Sequence, residues 1–166
     1  LVRACGPDDR DWQALTDAIE HAARAHQTVA ELAERLGLEK GVTGYIYHTV
    51  PIAAYAWFRH GGDYQHALTA VLDCGGDTDT VGAIVGALAG ATVGEAGIPE
   101  AWRTGVAAWP RSLRILEMLA DRLAAVALTH QPASAVRYGW PALPVRNLAF
   151  LLIVLGHGFR RLLPPY

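Results

Sequence analysis

Apolar residues recur at helical spacing along most of the chain. Trp12, Leu15, Ile19 and Ala22–Ala23 follow one another at intervals of three or four, which places them on one face of a helix. No stretch alternates apolar and polar residues between hairpin turns, as half-buried strands do. The pattern therefore predicts an all-α fold.

Boundary signals divide the first part of the chain into helices. Thr28 and Glu31 have the spacing of a capping box, and Gly37 is placed to end the helix that they begin. The glycine-containing segment 41–44 is predicted to be a flexible turn.

Two further helices are predicted after that turn. Thr49 is expected to cap a helix that has Pro51 in its first turn and runs to Arg59. Asp63 is expected to cap the next helix, which ends at Gly75–Gly76.

A helix of small residues is predicted to follow. Glycine recurs every four residues, and alanines lie between, at Gly82, Gly86, Gly90 and Gly94. Each glycine costs about 1 kcal/mol relative to alanine in a helix, so close backbone approach by another helix is expected in compensation. The spacing also resembles a membrane GxxxG face, but the neighbouring Asp77, Asp79 and Glu95 favour a buried helix of a soluble protein.

The last part of the chain contains three predicted helices. Pro99 is expected to open one helix containing Trp102, Val106 and Trp109, and Ser112 to cap a longer one through Leu128. A loop is predicted over Gln131–Pro144, and Pro144 is expected to open the last helix. Its apolar run Leu148–Leu155 is too short to span a bilayer and predicts a buried helix.

Composition narrows the class of protein. A chain of 166 residues fits one domain or part of one, and 52% hydrophobic against 18% charged residues is apolar for a soluble protein. A formal charge of -2 gives no electrostatic case for binding nucleic acid or an anionic membrane. Two cysteines, Cys5 and Cys74, make no disulfide framework, which favours a reducing, cytoplasmic compartment. The chain begins at Leu1 without the pattern of a signal peptide.

The segment from Cys74 to Thr80 has the strongest chemical signal. Gly75 and Gly76 allow a sharp turn, and Asp77, Asp79 and Thr80 follow where a helix begins. Hard cations such as Mg²⁺ prefer carboxylate and hydroxyl oxygens of this kind. The alternative is ordinary helix capping, because Asp and Thr are common caps and negative charge is favourable at a helix N-terminus.

Two motifs together resemble a known family. The acidic motif Gly75–Thr80 is followed by small residues at fixed spacing, then Ile98–Pro99 and Trp102, and Gly44–Pro51 with Ala54–Tyr55 lies upstream. This arrangement, over roughly residues 40 to 110, resembles the ADP-ribosylglycohydrolase signature.

The resemblance implies an all-helical fold, an orthogonal multi-helix bundle, around a site for two Mg²⁺ ions. It implies hydrolysis of an N- or O-glycosidic bond to ADP-ribose in a protein or small-molecule acceptor. Asp77, Asp79 and Thr80 match metal ligands of the family. Gly44 and Tyr45 match a loop that lines the ADP-ribose pocket, and Gly76 and Thr78 are expected to contact substrate as well.

The family's N-terminal elements have no counterpart here. A G-D-x-x-G motif, a catalytic acidic residue and a T-D-D metal triplet are missing, and Asp8–Asp9 follows proline rather than threonine. The interpretation is that residues 1–166 are the C-terminal part of a single domain, incomplete at its N-terminus. The catalytic acid and the other metal ligands would then lie outside this chain, on a preceding segment or on another chain.

Alternatives remain open at this stage. The chain could be a non-catalytic helical structural or interaction module that keeps the family fold, and a membrane-associated GxxxG helix is a third interpretation. Neither the cleaved linkage nor the oligomeric state follows from the sequence. His48 adjoins the predicted pocket loop and Cys74 adjoins the glycine pair, and each is interpreted first as a packing or capping residue.

Overall fold

A computed structural model describes residues 10–106, 109–110, 112–137 and 139–162. Eight α-helices and one 3-10 turn lie within these ranges, and no strand does, so the all-α prediction is confirmed. The helices are α1 (Arg10–Arg24), α2 (Val29–Arg35), α3 (Ile46–His60), α4 (Tyr64–Leu72), α5 (Thr78–Val93), α6 (Glu100–Thr104), α7 (Leu113–Thr129) and α8 (Ala142–Leu162), and the 3-10 turn is Glu95–Gly97. Cys5 and the pair Asp8–Asp9 lie outside the described residues.

The chain divides into two compact units, 1–99 and 100–166. In the first unit, α3, α4 and α5 pack against one another, and α1 and α2 pack on α3. The buried core takes side chains from all five helices and from the loop after α2. Its largest fully buried members are Tyr55, Leu32, Ile52, Val29, Val42, Val71, Val81, Val85 and Pro51.

The predicted caps of α2 and α4 are confirmed. The Glu31 backbone N–H donates to the Thr28 hydroxyl at 3.2 Å, and the Thr28 N–H donates to the Glu31 carboxylate at 2.6 Å. Asp63 accepts from the backbone N–H of His66 at 3.0 Å. After α2, Gly37 has a φ of 72°, the left-handed conformation that stops a helix at low cost.

The predicted start of α3 was wrong. The helix begins at Ile46 with Tyr45 as its N-cap, so Pro51 lies inside it rather than in its first turn. The extra turn is stabilised from the preceding loop, because the Thr49 hydroxyl donates to the Thr43 carbonyl at 2.9 Å. Proline inside a helix loses its own hydrogen bond and crowds the carbonyl four residues back, so the first turn needs this support.

The small-residue helix α5 packs on α4, but the predicted close approach of the two backbones was wrong. A Cβ atom added at Gly82 would lie 3.4 Å from Leu72, and one added at Gly86 would lie 3.2 Å from the Tyr64 hydroxyl. The glycines therefore make room for α4 side chains, not for its backbone. An adjacent face of α5 buries Val81, Val85 and Ala89 in the core of the first unit, so the predicted burial of this helix is confirmed.

Helix boundaries in the second unit differ from the prediction after Pro99. Helix α6 ends at Thr104, so Val106 and Trp109 lie beyond it. Helix α7 runs from Leu113 to Thr129 with Ser112 at its N-cap, but the Ser112 side chain makes no capping hydrogen bond. Gly105, a poor helix former, directly follows the last residue of α6, and the apolar spacing to Val106 did not reveal this end.

The predicted buried helix Leu148–Leu155 is the other correction. The run lies inside the 21-residue helix α8, which starts at Ala142 and has no buried residue. Leu148, Phe150 and Leu152 are each about 60% exposed, at 58, 63 and 62%. By length and composition alone α8 could cross a membrane, a criterion that core helices of soluble proteins also meet.

We predict that Gly86→Val destabilises the protein although glycine is a poor helix former. The added side chain would meet Tyr64 and Leu68, and such overpacking costs about 1–3 kcal/mol. The matched control is Ala87→Val on the exposed side of the same helix, which should cost no more than about 0.7 kcal/mol through helix propensity. Urea denaturation followed by circular dichroism measures both; equal effects would contradict the packing described for Gly86.

Candidate metal centre

Two loops cross in front of the N-terminus of α5. One loop joins α2 to α3, and the other joins α4 to α5. The Val42 N–H donates to the Gly75 carbonyl at 3.0 Å, and the Asp77 N–H donates to the Val42 carbonyl at 2.6 Å, which makes a single parallel bridge. Val42 itself is fully buried. This crossing fixes the backbone from which the acidic motif extends.

Glycine is required where the loops cross. Gly41 and Gly76 have φ values of 109° and 84°, which side-chain-bearing residues rarely adopt. A Cβ at Gly76 would lie 2.2 Å from the Val42 carbonyl oxygen, and one at Gly41 would lie 2.5 Å from the Gly76 nitrogen. Gly41 and Gly76 are therefore required by the close approach of the two loops, which the sequence did not reveal.

Asp77 is both the N-cap of α5 and part of an acidic group. Its Oδ1 accepts from the Thr80 backbone N–H at 3.4 Å. The pKa of the Asp77 carboxyl is lowered, first by a hydrogen bond with the Asp79 side chain and then by one with the Thr80 side chain. The structure thus brings together the three side chains that the sequence proposed as metal ligands.

These side chains face solvent at the start of α5. Asp79 and Thr80 are exposed, and Asp77 and Thr78 are half-buried. Two carboxylates and a hydroxyl are the oxygen donors that Mg²⁺ takes, and the Oδ2 atom of Asp77 is not used by the cap. The donor set fits part of a hard-cation shell. Within the described ranges no group of three or more His, Cys, Asp or Glu side chains could hold a metal ion.

The acidic motif touches the other predicted motif. A Cβ added at Gly44 would lie 2.5 Å from the Asp77 Oδ2 atom, so a larger residue here would displace the carboxylate. Gly44 and Asp77 are far apart in the sequence, and the loop crossing brings them into contact. Tyr45, the next residue, is 58% exposed.

An aromatic cluster lies around Tyr45. Its ring stacks on the Tyr47 ring with centroids 5.5 Å apart, and Trp12 of α1 meets the edge of Tyr47 at 5.9 Å. The His48 ring meets Tyr45 edge-on at 5.3 Å, and its Nδ1 atom lies 2.8 Å from the Thr43 hydroxyl. Neither Trp12 nor Thr43 was predicted to belong here. Only the aromatic content of Tyr45–Tyr47 signalled the cluster, because the contribution of α1 is a tertiary contact.

Cys74 has the environment of a packing residue, as predicted. Its thiol donates to the Ala70 carbonyl at 3.3 Å. Burial, and then the charge of Asp73, raises the pKa of this thiol, which disfavours the nucleophilic thiolate.

Comparison with known proteins adds two findings. The family model described as ADP-ribosylglycohydrolase matches residues 2–133. An uncharacterized protein of Archaeoglobus fulgidus is 40% identical over 74 residues, a stretch that spans 45% of this chain and 22% of that relative. No solved structure matches.

We predict that Gly75→Ala and Gly76→Ala differ sharply in cost. Both glycines have positive φ, which costs alanine about 1–2 kcal/mol. Nothing lies within 4 Å of a Cβ at Gly75, whereas a Cβ at Gly76 would clash with the Val42 backbone, which adds about 1–3 kcal/mol. Chemical denaturation compares the two variants, and equal losses of unfolding free energy would contradict the loop crossing.

Proposed function

We propose, since the chain belongs to the ADP-ribosylglycohydrolase family, that the intact protein hydrolyses the glycosidic bond between ADP-ribose and a protein or small-molecule acceptor. Family membership suggests a hydrolase of this type. The finer proposal is that the reaction depends on Mg²⁺ and that this chain supplies one side of a two-metal site.

The observation that carries the proposal is the contact between the two motifs. Gly44 lies against the Asp77 carboxylate, which places the substrate-loop motif beside the acidic motif. Helix capping alone would explain the hydrogen bond of Asp77 with the Thr80 backbone, but not why Gly44 of the second motif lies against the same carboxylate. A substrate loop next to oxygen ligands is what metal-assisted hydrolysis requires.

Each residue has a specific role in this proposal. Asp77, Asp79 and Thr80 hold the metal through carboxylate and hydroxyl oxygens. Bound Mg²⁺ would orient the ribose hydroxyls and polarise the scissile centre or a water molecule. Gly44 leaves room for the Asp77 carboxylate itself, because a Cβ there would lie 2.5 Å from its Oδ2 atom.

The remaining substrate contacts surround the metal ligands. Tyr45 offers a ring face to the sugar or the adenine. Gly76 and Thr78 flank Asp77 at the start of α5 and are the other proposed substrate contacts.

Three oxygen-bearing side chains do not complete the shells of two metal ions. We therefore include in the proposal a segment outside this chain, in cis or on another chain, that supplies the catalytic acid and the other ligands. The exposed face of α5 is a suitable surface for that segment to pack on. Ala83, Ala87 and Ala91 are exposed on the face that begins at Asp79, and their small side chains would allow close approach.

A non-catalytic helical module is the second candidate. The observation that favours it is that the three side chains form only part of a metal shell within the described chain. A module of this kind would keep the packing of α3, α4 and α5 but would not need charge at both Asp77 and Asp79.

Asp77→Asn distinguishes the two candidates, because asparagine caps helices about as well as aspartate but removes the charge. We expect Asp77→Asn and Asp79→Asn to weaken Mg²⁺ binding by about tenfold or more, since affinity for hard cations depends on ligand charge. Calorimetric titration of the full-length protein, with the segment that completes the metal shell present, measures the binding of Mg²⁺. Hydrolysis is followed on ADP-ribosyl-arginine, ADP-ribosyl-serine and O-acetyl-ADP-ribose.

The matched control is Asp63→Asn, at the N-cap of α4. It removes a charge from an equivalent helix position, and it should leave Mg²⁺ binding and hydrolysis unchanged. If Asp77→Asn and Asp63→Asn behave alike in both assays, the acidic motif is a cap only and the non-catalytic module is supported.

A further inference from the structure

We propose that His48 is a positioning residue that holds the Tyr45 ring for contact with the distal ribose of ADP-ribose. The ring of His48 is itself held by the Thr43 hydroxyl. This inference rests on the proposed function for its substrate, but the ordering of Tyr45 can be tested without any ligand.

Thr43 links the two rings at the start of α3. Its hydroxyl lies 2.8 Å from His48 Nδ1 and accepts from the Tyr45 backbone N–H at 3.3 Å. A threonine hydroxyl has one proton and two acceptor lone pairs, so it can make both bonds at once. One side chain therefore fixes the backbone of Tyr45 and the ring of His48 together.

The contacts of the Tyr45 ring leave part of it free. Tyr47 stacks on it with an interplanar angle of 20°, and His48 meets it edge-on at 90°. The side chain is nevertheless 58% exposed. A stacked ring uses one face against its neighbour, so the opposite face of Tyr45 is the one available to a ligand.

The position of Tyr45 next to Gly44 indicates which part of ADP-ribose the free face of its ring would contact. Gly44 touches the Asp77 carboxylate, and the Tyr45 Cα is about 3.8 Å from the Gly44 Cα. In the proposed reaction the scissile bond lies at the metal ligands, and that bond belongs to the distal ribose. The adenine is separated from it by the diphosphate and the other ribose. The distal ribose is therefore the part nearest to Tyr45.

The test separates the hydroxyl from the shape of the side chain. Thr43→Val keeps the shape and removes both hydrogen bonds, whereas Thr43→Ser keeps the hydroxyl. His48→Phe keeps a ring edge against Tyr45 without the nitrogen, and His21→Gln on the exposed side of α1 is the control histidine. Tyr45→Leu gives the effect of losing the ring.

The first measurement is the near-ultraviolet circular dichroism of the ligand-free protein. Tyr45→Leu shows which part of the tyrosine signal comes from Tyr45. We expect Thr43→Val and His48→Phe to lose the same part and Thr43→Ser to keep it. Retention of that signal in Thr43→Val and His48→Phe would show that His48 does not order Tyr45 and would overturn the proposal.

The second measurement is binding of ADP-ribose and of ADP by calorimetry with Mg²⁺ present. We expect Thr43→Val and His48→Phe to lower the affinity for ADP-ribose by about 3- to 10-fold, the size of one ordinary contact. The affinity for ADP should stay unchanged. The double variant should lose no more than either single one, because the two residues act as a unit. In hydrolysis the loss should appear in KM and not in kcat.

The outcomes separate the two proposals. Equal weakening of ADP and ADP-ribose would place Tyr45 on the adenine and overturn the assignment to the distal ribose. A wild-type protein that binds no ADP-ribose would overturn the proposed function and the substrate assignment with it, and the circular dichroism would still decide whether His48 orders Tyr45.

Discussion

The backbone crossing of Val42 with Gly76 is the constraint on which the site depends. It joins the loop before α3 to the loop before α5. Each loop needs a glycine there, Gly41 in one and Gly76 in the other, for its backbone conformation and for space. The hydrogen bond from Asp77 to the Val42 carbonyl then sets where α5 begins. The acidic motif is thus held by the first unit's core through Val42, and not only by its own helix.

Capping and metal binding are compatible roles for Asp77. The cap engages Oδ1 with the Thr80 backbone, while Oδ2 points toward Gly44. A carboxylate has four lone-pair positions, so a cap bond leaves several for a cation. The cap orients the carboxylate beside Asp79 and Thr80. An ordinary helix start can in this way preorganise ligands, and the two interpretations of the motif describe one geometry.

Much of the first unit followed from the sequence because its signals are local. The capping box of Thr28 and the cap at Asp63 are set by neighbours a few residues away. The contact of Gly44 with Asp77 and that of Trp12 with Tyr47 depend on tertiary packing, which no spacing encodes. The start of α3 was misplaced because hydroxyls of Thr43 and Thr49 stabilise a turn that Pro51 alone would not predict. The predicted burial of α8 was wrong because an apolar run indicates a helix but not whether other residues cover it.

The two faces of α5 connect packing with chemistry. Its glycine face is filled by α4, whereas Ala83, Ala87 and Ala91 are exposed in line with Asp79. Residues four apart on a helix share a face, so a helix lying along these alanines would end beside the acidic motif. Such a helix would bury small apolar side chains and bring its own residues to the open side of Asp79 and Thr80. In the proposed enzyme, closing this face and completing the metal shell would therefore be one event, and Mg²⁺ affinity would depend on the same packing that covers the alanines.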